Sequence, residues 1–147
     1  MSDAARIERV DAAVLRPLRQ RVLRPHQTLA EQLFDGDQDP LAGHFAAYAS
    51  DGDDQPIGIA SITPEGGPGA WRVRGMATDP ERGRGTGAGG ALLLACLDHA
   101  RANGATRVWC NARTPARGFY ERYGFVAEGE EFELPQIGPH YVMSLRF

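Results

Sequence analysis

The chain has 147 residues, of which 42% are hydrophobic, and its formal net charge at pH 7 is −3. This length predicts one domain over residues 1–147 with enough apolar side chains for a packed core. The absence of a basic run argues against nucleic acid or an anionic membrane as a partner, and the absence of a long apolar stretch in the first 30 residues leads us to expect a cytoplasmic protein.

The first forty residues predict a strand, a helix and a polar connector. Residues 6–10 alternate enough for a short strand. We expect a helix over residues 16–23, because Pro17 is tolerated in the first turn of a helix but not deeper. Residues 24–40 contain two prolines and an acidic cluster, so we expect a solvent-facing loop or short helix that is too polar for the core.

Three strand patterns follow. Residues 44–50 and 57–63 are apolar runs separated by turn-forming residues 51–56, which predicts a β-hairpin. A third strand is expected over residues 72–78. His44 is predicted to be a hydrogen-bonded strand residue and not a ligand.

A glycine-rich loop comes next, with five glycines among residues 83–90 and Arg82 and Arg84 beside them. Glycine permits positive φ, and the helix predicted to begin near Ala91 directs its first N–H groups and its positive dipole end into the loop. Such a terminus binds phosphate or pyrophosphate. A P-loop is excluded because the chain has no lysine. A dinucleotide fingerprint is weak, because no acidic residue lies about 20 positions further on.

The C-terminal third predicts two more helix-to-strand transitions. Asn103-Gly104 ends the long helix, and residues 106–111 are expected to form a buried strand parallel to residues 72–78. A helix is predicted over residues 115–122, and strands over 124–131 and 141–146. Two cysteines, Cys96 and Cys110, are interpreted as packed thiols.

Two motifs resemble those of the GNAT superfamily of N-acetyltransferases. The loop follows Asp79-Pro80 and matches [RQ]xxGx[GA] in two registers, one from Arg82 and one from Arg84; the second is preferred because Gly90 then precedes an Ala-Leu-Leu helix start. Residues 116–125 match the second motif, AxxFYxxxGF. The tail Gly138-Pro139-His140 resembles a small bacterial subgroup that includes ElaA-like and YjcF-like members.

This resemblance implies an α/β (α+β) fold with a mixed, mostly antiparallel central sheet and helices on both faces. It implies an acetyl-CoA-dependent N-acetyltransferase that needs no metal, in which an amine attacks directly within a ternary complex. The acceptor would be a small-molecule or peptide amine, and the protein a monomer or homodimer. The alternative is a non-catalytic acyl-CoA-binding or regulatory module on the same fold.

The resemblance also implies the site residues. Tyr120 would protonate the departing thiolate, since a phenol with a pKa of about 10 stays protonated at pH 7; Tyr123 is its packing counterpart. A backbone N–H near Met76 or Ala77 would polarise the thioester carbonyl. Cys110 is not needed as a nucleophile. The residues implied to bind the coenzyme are Met76, Ala77, Thr78, Arg82, Arg84, Gly85, Thr86, Gly87, Ala88, Gly89, Gly90 and Asn111.

The acceptor side is less defined by the sequence. Its general base is open among His26, His44, His140 and a relayed water. The acidic cluster at residues 31–39 is expected to line the acceptor side of the cleft, where carboxylates would favour a small cationic amine.

Overall fold

The computed structural model describes residues 5–49, 54–83 and 85–147. Residues 50–53, which include the first half of the predicted hairpin turn, and Arg84 lie outside the described residues. The elements in chain order are β1 Arg6–Arg9, α1 Ala12–Leu18, β2 Gly43–Tyr48, β3 Gly58–Pro64, β4 Ala70–Thr78, α2 Ala88–Ala102, β5 Arg107–Arg113, α3 Arg117–Glu121, β6 Val126–Leu134 and β7 Gly138–Arg146.

The described strands form a seven-stranded sheet in the order β1-β2-β3-β4-β5-β7-β6. Neighbouring strands pair antiparallel except β4 and β5, which are parallel. The parallel pair arises because α2 carries the chain across the sheet between these strands, as a parallel connection requires. The predicted mixed, mostly antiparallel sheet is therefore confirmed.

Helices cover both faces of the sheet, also as predicted. On one face, Leu93 and Cys96 of α2 are fully buried with Val108 of β5. On the other face, α1 buries Leu15 and Leu18 against the sheet. Full burial of a leucine side chain contributes about 1.5–3 kcal/mol to folding, so these two layers hold the helices in place.

Helix α1 begins four residues before the predicted start at residue 16, and Pro17 lies inside it. The prediction was wrong because burial of Leu15 and Leu18 outweighs the local cost of the proline. Since proline has no N–H, it cannot bond to the carbonyl four residues earlier. The chain continues directly into one π-helical turn, Arg19–Leu23.

The segment at residues 24–40 was predicted to be too polar for the core, and this was wrong. It contains a short 3₁₀ turn, Ala30–Gln32, and turns its Phe34 and Asp37 side chains inward. The carboxylate of Asp37 pairs with the buried guanidinium of Arg19 at 2.6 Å. A buried charge requires a partner, and the one for Arg19 comes from this acidic segment.

Candidate functional site

Strands β4 and β5 diverge at their carboxyl ends. They pair only at Ala70–Arg107, Trp71–Val108 and Arg72–Trp109. Beyond that point β4 continues against β3 as far as Thr78, while β5 continues against β7 as far as Arg113. The two strands therefore splay apart, and they leave a gap in the middle of the sheet.

A β-bulge in β4 lies beside this gap. The pairing with β3 shifts register between Ile59–Ala77 and Ser61–Arg74, so β4 carries one extra residue there. Gly75 has a φ of +59°, which favours glycine. A bulge leaves backbone groups without ladder partners and re-aims the neighbouring side chains. Ala77 packs towards α1, whereas Met76 packs with the α2 and α3 layer.

The glycine-rich loop needs glycine at two positions because of its backbone conformation. Gly85 and Gly87 have φ values of +74° and +75°, and open space surrounds the position of a Cβ at each. Helix α2 begins at Ala88, directly after Gly87. The predicted start near Ala91 was therefore three residues late.

The first turn of α2 contains Gly90 for a packing reason. The hydroxyl of Tyr123 lies 2.0 Å from where a Cβ on Gly90 would stand. Any other residue at position 90 would displace Tyr123. This contact places Tyr123 as a packing residue against the helix.

The loop is anchored at its start by the buried Asp79. Its carboxylate accepts hydrogen bonds from the backbone N–H groups of Glu81 and Arg82, at 2.9 and 3.1 Å. These two hydrogen bonds lower the pKa of Asp79, and the one from the Arg82 N–H has the larger effect. The guanidinium of Arg21 at 2.8 Å lowers this pKa further. The hydroxyl of Thr86 donates to the Gly83 carbonyl and accepts from the Ala88 N–H. Thr86 thus helps to hold the turn.

Tyr120 lies at the floor of the gap. Its side chain is buried, and its hydroxyl donates to the Met76 sulfur at 3.5 Å. Burial, followed by the neighbouring Cys110, raises the pKa of Tyr120 well above its usual value of 10. The phenol is therefore protonated at neutral pH.

The two cysteines are buried free thiols, as predicted. Burial raises the pKa of Cys110 to about 12 and that of Cys96 further still. Both are neutral thiols at physiological pH, and a neutral buried thiol is a poor nucleophile.

The gap opens into a cleft of about 140 Å³. Tyr120, Met76 and Asn111 line it, and so does His140. Four arginines, Arg24, Arg72, Arg74 and Arg113, complete its polar wall. Among the described residues that line the cleft, none is an aspartate or glutamate.

The acidic cluster at residues 31–39 was expected to line this cleft with its carboxylates, and this was wrong, since none of them lines it. Asp37 is buried in its ion pair with Arg19, and Phe34 is the residue of that segment that reaches the cleft. The expected preference for a cationic amine is therefore not supported, because no carboxylate of the described residues lines the cleft. The sequence carried a signal for the opposite charge, because Arg72 and Arg74 alternate along β4 and so share one face of the strand.

The three histidine candidates occupy different positions. Both ring nitrogens of His44 have partners, the Ser61 hydroxyl at 2.7 Å and the Asp37 carbonyl at 2.9 Å, which confirms a hydrogen-bonded strand residue. His26 is exposed and does not line the cleft. His140 lies within β7 and lines the cleft, and its Nδ1 is 2.7 Å from the Gly138 carbonyl. If that nitrogen donates, Nε2 is left as the acceptor.

In the part of the chain that the structure describes, no group of three or more His, Cys, Asp or Glu side chains could hold a metal ion. Across the same residues, no helix is both long and apolar enough to cross a membrane.

Comparisons with known proteins agree with this geometry. The sequence model of the acetyltransferase (GNAT) family matches residues 9–125. An uncharacterised N-acetyltransferase, YitI of Bacillus subtilis (strain 168), is 36% identical over 131 residues, covering 86% of this chain and 85% of that protein.

Solved structures share the fold. Escherichia coli ElaA superposes with a TM-score of 0.77 at 17% identity, over 95% of this chain and 98% of its own. A chain of the NatC complex bound to Gag peptide and CoA superposes with a TM-score of 0.80 at 15% identity, over 98% of this chain and 99% of its own.

Proposed function

Because the chain belongs to the GNAT acetyltransferase family and is an N-acetyltransferase, we propose that it transfers the acetyl group of acetyl-CoA to an amine by direct attack in a ternary complex. The observation that carries the proposal is the gap between β4 and β5, with Tyr120 at its floor and the glycine-rich loop following β4. Acetyl-CoA would supply a thioester whose carbonyl carbon accepts the amine.

The glycine-rich loop fits the pyrophosphate of the coenzyme. Open space above Gly85 and Gly87 lets an anion approach the backbone, and the first N–H groups of α2 lack intrahelical partners. Both positive-φ glycines belong to the register that starts at Arg82, which supports Arg82-x-x-Gly85-x-Gly87 as the binding motif. In this proposal Gly89 and Gly90 contribute the start of the helix.

The bulge in β4 fits the thioester carbonyl. Neither Gly75 nor Met76 has a partner in the register with β3, and β5 has already diverged within the described sheet. The backbone N–H of Met76 would then be available to the carbonyl oxygen as negative charge develops on it, whereas Ala77 is paired with Ile59 of β3. Such a preorganised donor is worth about 3–4 kcal/mol of barrier.

Tyr120 fits the role of general acid. Its hydroxyl already donates to a divalent sulfur, that of Met76, so a sulfur atom is within its reach on this side of β4. Its raised pKa keeps the proton available. The neutral thiol of Cys110 supports transfer without a covalent acetyl-enzyme.

The proposal is tested by incubating the protein with acetyl-CoA and a panel of amines and measuring release of free CoA thiol together with the acetylated amine. Equal amounts of both products are expected. Saturable binding of acetyl-CoA with no product from any amine would instead favour the non-catalytic acyl-CoA-binding module, and no binding would contradict both.

A further inference from the structure

The wall of the cleft is strongly cationic in a protein whose net charge is −3. Arg24, Arg72, Arg74 and Arg113 line it, all half-buried, beside the buried His140. From this arrangement we infer that the acceptor is a small amine that also carries an oxyanion, a carboxylate or a phosphate, which the arginines bind.

The charge on this wall is largely uncompensated. Within the described residues, Arg72 pairs with Glu65, whereas no ion pair is formed by Arg24, Arg74 or Arg113. These three arginines contact neutral groups instead, as in the hydrogen bond from Arg113 to the Leu23 carbonyl at 2.7 Å. The Nε of Arg72 is buried with no hydrogen-bond partner in this part of the chain. An oxyanion in the cleft would supply the missing acceptors.

Phe34 orders two of these guanidinium groups. The Cζ atoms of Arg24 and Arg74 each lie 4.8 Å from the centre of its ring. A cation–π contact uses none of the N–H groups of a guanidinium as a hydrogen-bond donor to an oxygen, so these groups stay available to a carboxylate or phosphate. The third arginine over this ring, Arg19, is already neutralised by Asp37. Of the three arginines around Phe34, Arg19 therefore has a structural role, and Arg24 and Arg74 are available to a ligand.

Electrostatic strain within the wall points the same way. Burial, followed by nearby Arg113, lowers the pKa of Arg24, and burial followed by nearby Arg72 lowers that of Arg74. A bound anion relieves this repulsion. The same positive surroundings disfavour an ammonium, so they shift an acceptor amine towards its neutral, nucleophilic form.

The test uses acceptor pairs that differ in one anionic group: an α-amino acid against its amide, and phosphoethanolamine against ethanolamine. With acetyl-CoA saturating, the anionic member of at least one pair should have a KM lower by about 10-fold or more, the scale of one charged hydrogen bond. The pair that responds identifies the source, carboxylate or phosphate. Equal KM values in both pairs, or a preference for the uncharged members, would overturn the inference.

Two variants make the test specific to the wall. Arg74→Gln should raise the KM of the anionic acceptor by about 10-fold and change that of its neutral partner much less. Arg146→Gln removes an exposed arginine that does not line the cleft, so it should change neither. Equal effects of both variants would contradict an arginine-bound oxyanion. A raised KM for charged and uncharged acceptors alike in Arg74→Gln would do the same.

Since the acceptor role of the cleft rests on the proposed function, binding is measured separately. Calorimetry with the same acceptor pairs and CoA-loaded protein requires no turnover. Selective, Arg74-dependent binding of an anionic amine with no acetylation of any acceptor would refute the proposed function and keep the oxyanion site. Turnover without any selectivity for the anion would refute the oxyanion site alone.

Discussion

Arg19 and Asp37 form an ion pair in which the two side chains are 0% and 2% exposed and the Nη1 to Oδ2 distance is 2.6 Å. Arg19 comes from the π-helical turn after α1 and Asp37 from the acidic segment, so the pair ties that segment to the end of α1. Arg19 also donates to the Ser61 hydroxyl, and Asp37 accepts from the Phe34 N–H. This network supports the cation–π contacts of Phe34 at the edge of the cleft.

We expect Asp37→Asn to destabilise the protein by about 3–5 kcal/mol, because it leaves the buried charge of Arg19 without a counterion. Urea unfolding measures the difference. Asp35→Asn changes an exposed carboxylate two positions away and should alter the stability by no more than about 0.5 kcal/mol. Similar unfolding midpoints for the two variants would show that the pair contributes no more than a surface charge.

Replacement of Tyr120 by Phe should lower kcat by about 10²-fold, because the variant keeps the packing but loses the proton donor. Acetyl-CoA affinity should stay nearly unchanged. Tyr123→Phe is the matched control, since its hydroxyl packs against Gly90, and its loss of activity should be smaller. Parent-like turnover in both variants would mean that the thiolate leaves without help from Tyr120.

The pH profile gives an independent check on the same residue. A general acid works in its protonated form, and the pKa of Tyr120 is raised well above 10. Activity should therefore not fall through ionisation of this phenol between about pH 7 and pH 10, the ordinary pKa of tyrosine. An alkaline loss of kcat below pH 10 that persists with different acceptors, and is absent in Tyr120→Phe, would contradict this pKa direction.

Coenzyme binding at the glycine-rich loop predicts ligand-induced stabilisation. Acetyl-CoA at about 100 times its dissociation constant should stabilise the fold by about 2.7 kcal/mol, which thermal melting detects as a shift of several degrees. Gly87→Val should abolish the shift. Gly104→Val is the matched control, because Gly104 also has a positive φ and open space around it but follows the far end of α2. An equal loss of the shift in both variants would mean that backbone strain, and not the loop, is responsible.

Asp79 links the loop to a pH-dependent stability. The pKa of Asp79 is lowered in the folded state, so the unfolded state binds more protons as the pH falls. The contribution of Asp79 to the free energy of unfolding is therefore fully present above its unfolded pKa of about 3.9 and is lost as the pH falls through its folded pKa. The difference in unfolding free energy between the parent and Asp79→Asn should thus be constant from about pH 7 to pH 5 and shrink at lower pH. A difference that stays constant to about pH 3 would contradict an ionised, hydrogen-bonded Asp79.

Elements with strong local signals were predicted well. Residues 72–78 and 141–146 fall within the observed β4 and β7, and the predicted strand at residues 106–111 starts one residue before β5. The helix expected before Asn103 ends at Ala102. The parallel pairing of β4 and β5 also followed from the sequence, because a strand, a helix and a strand connect in one hand. Gly75 in the middle of a strand pattern was an available signal for the bulge beside the gap.

The boundaries of helices depended on contacts that no local pattern contains. Pro17 argued for a late start of α1, but Leu15 and Leu18 bury against strands that lie far away in the chain. Gly90 resembled part of the loop, but it lies in helix α2. A glycine is needed there because the Tyr123 hydroxyl occupies the space of a side chain.

The amino-acid sequence by itself determined the family, the order of the strands and helices, and the two motifs that contain the glycine-rich loop and Tyr120, because each of these depends on residues near one another in the chain. Only the tertiary structure decided the charge of the cleft. Its arginines come from the start of the segment at residues 24–40, from β4 and from β5, whereas the carboxylate of Asp37 is paired with Arg19 in the core. Electrostatic potential sums over side chains close in space regardless of their separation in sequence, so the sign of the potential in the cleft followed from the packing of these segments and not from the composition of any one of them.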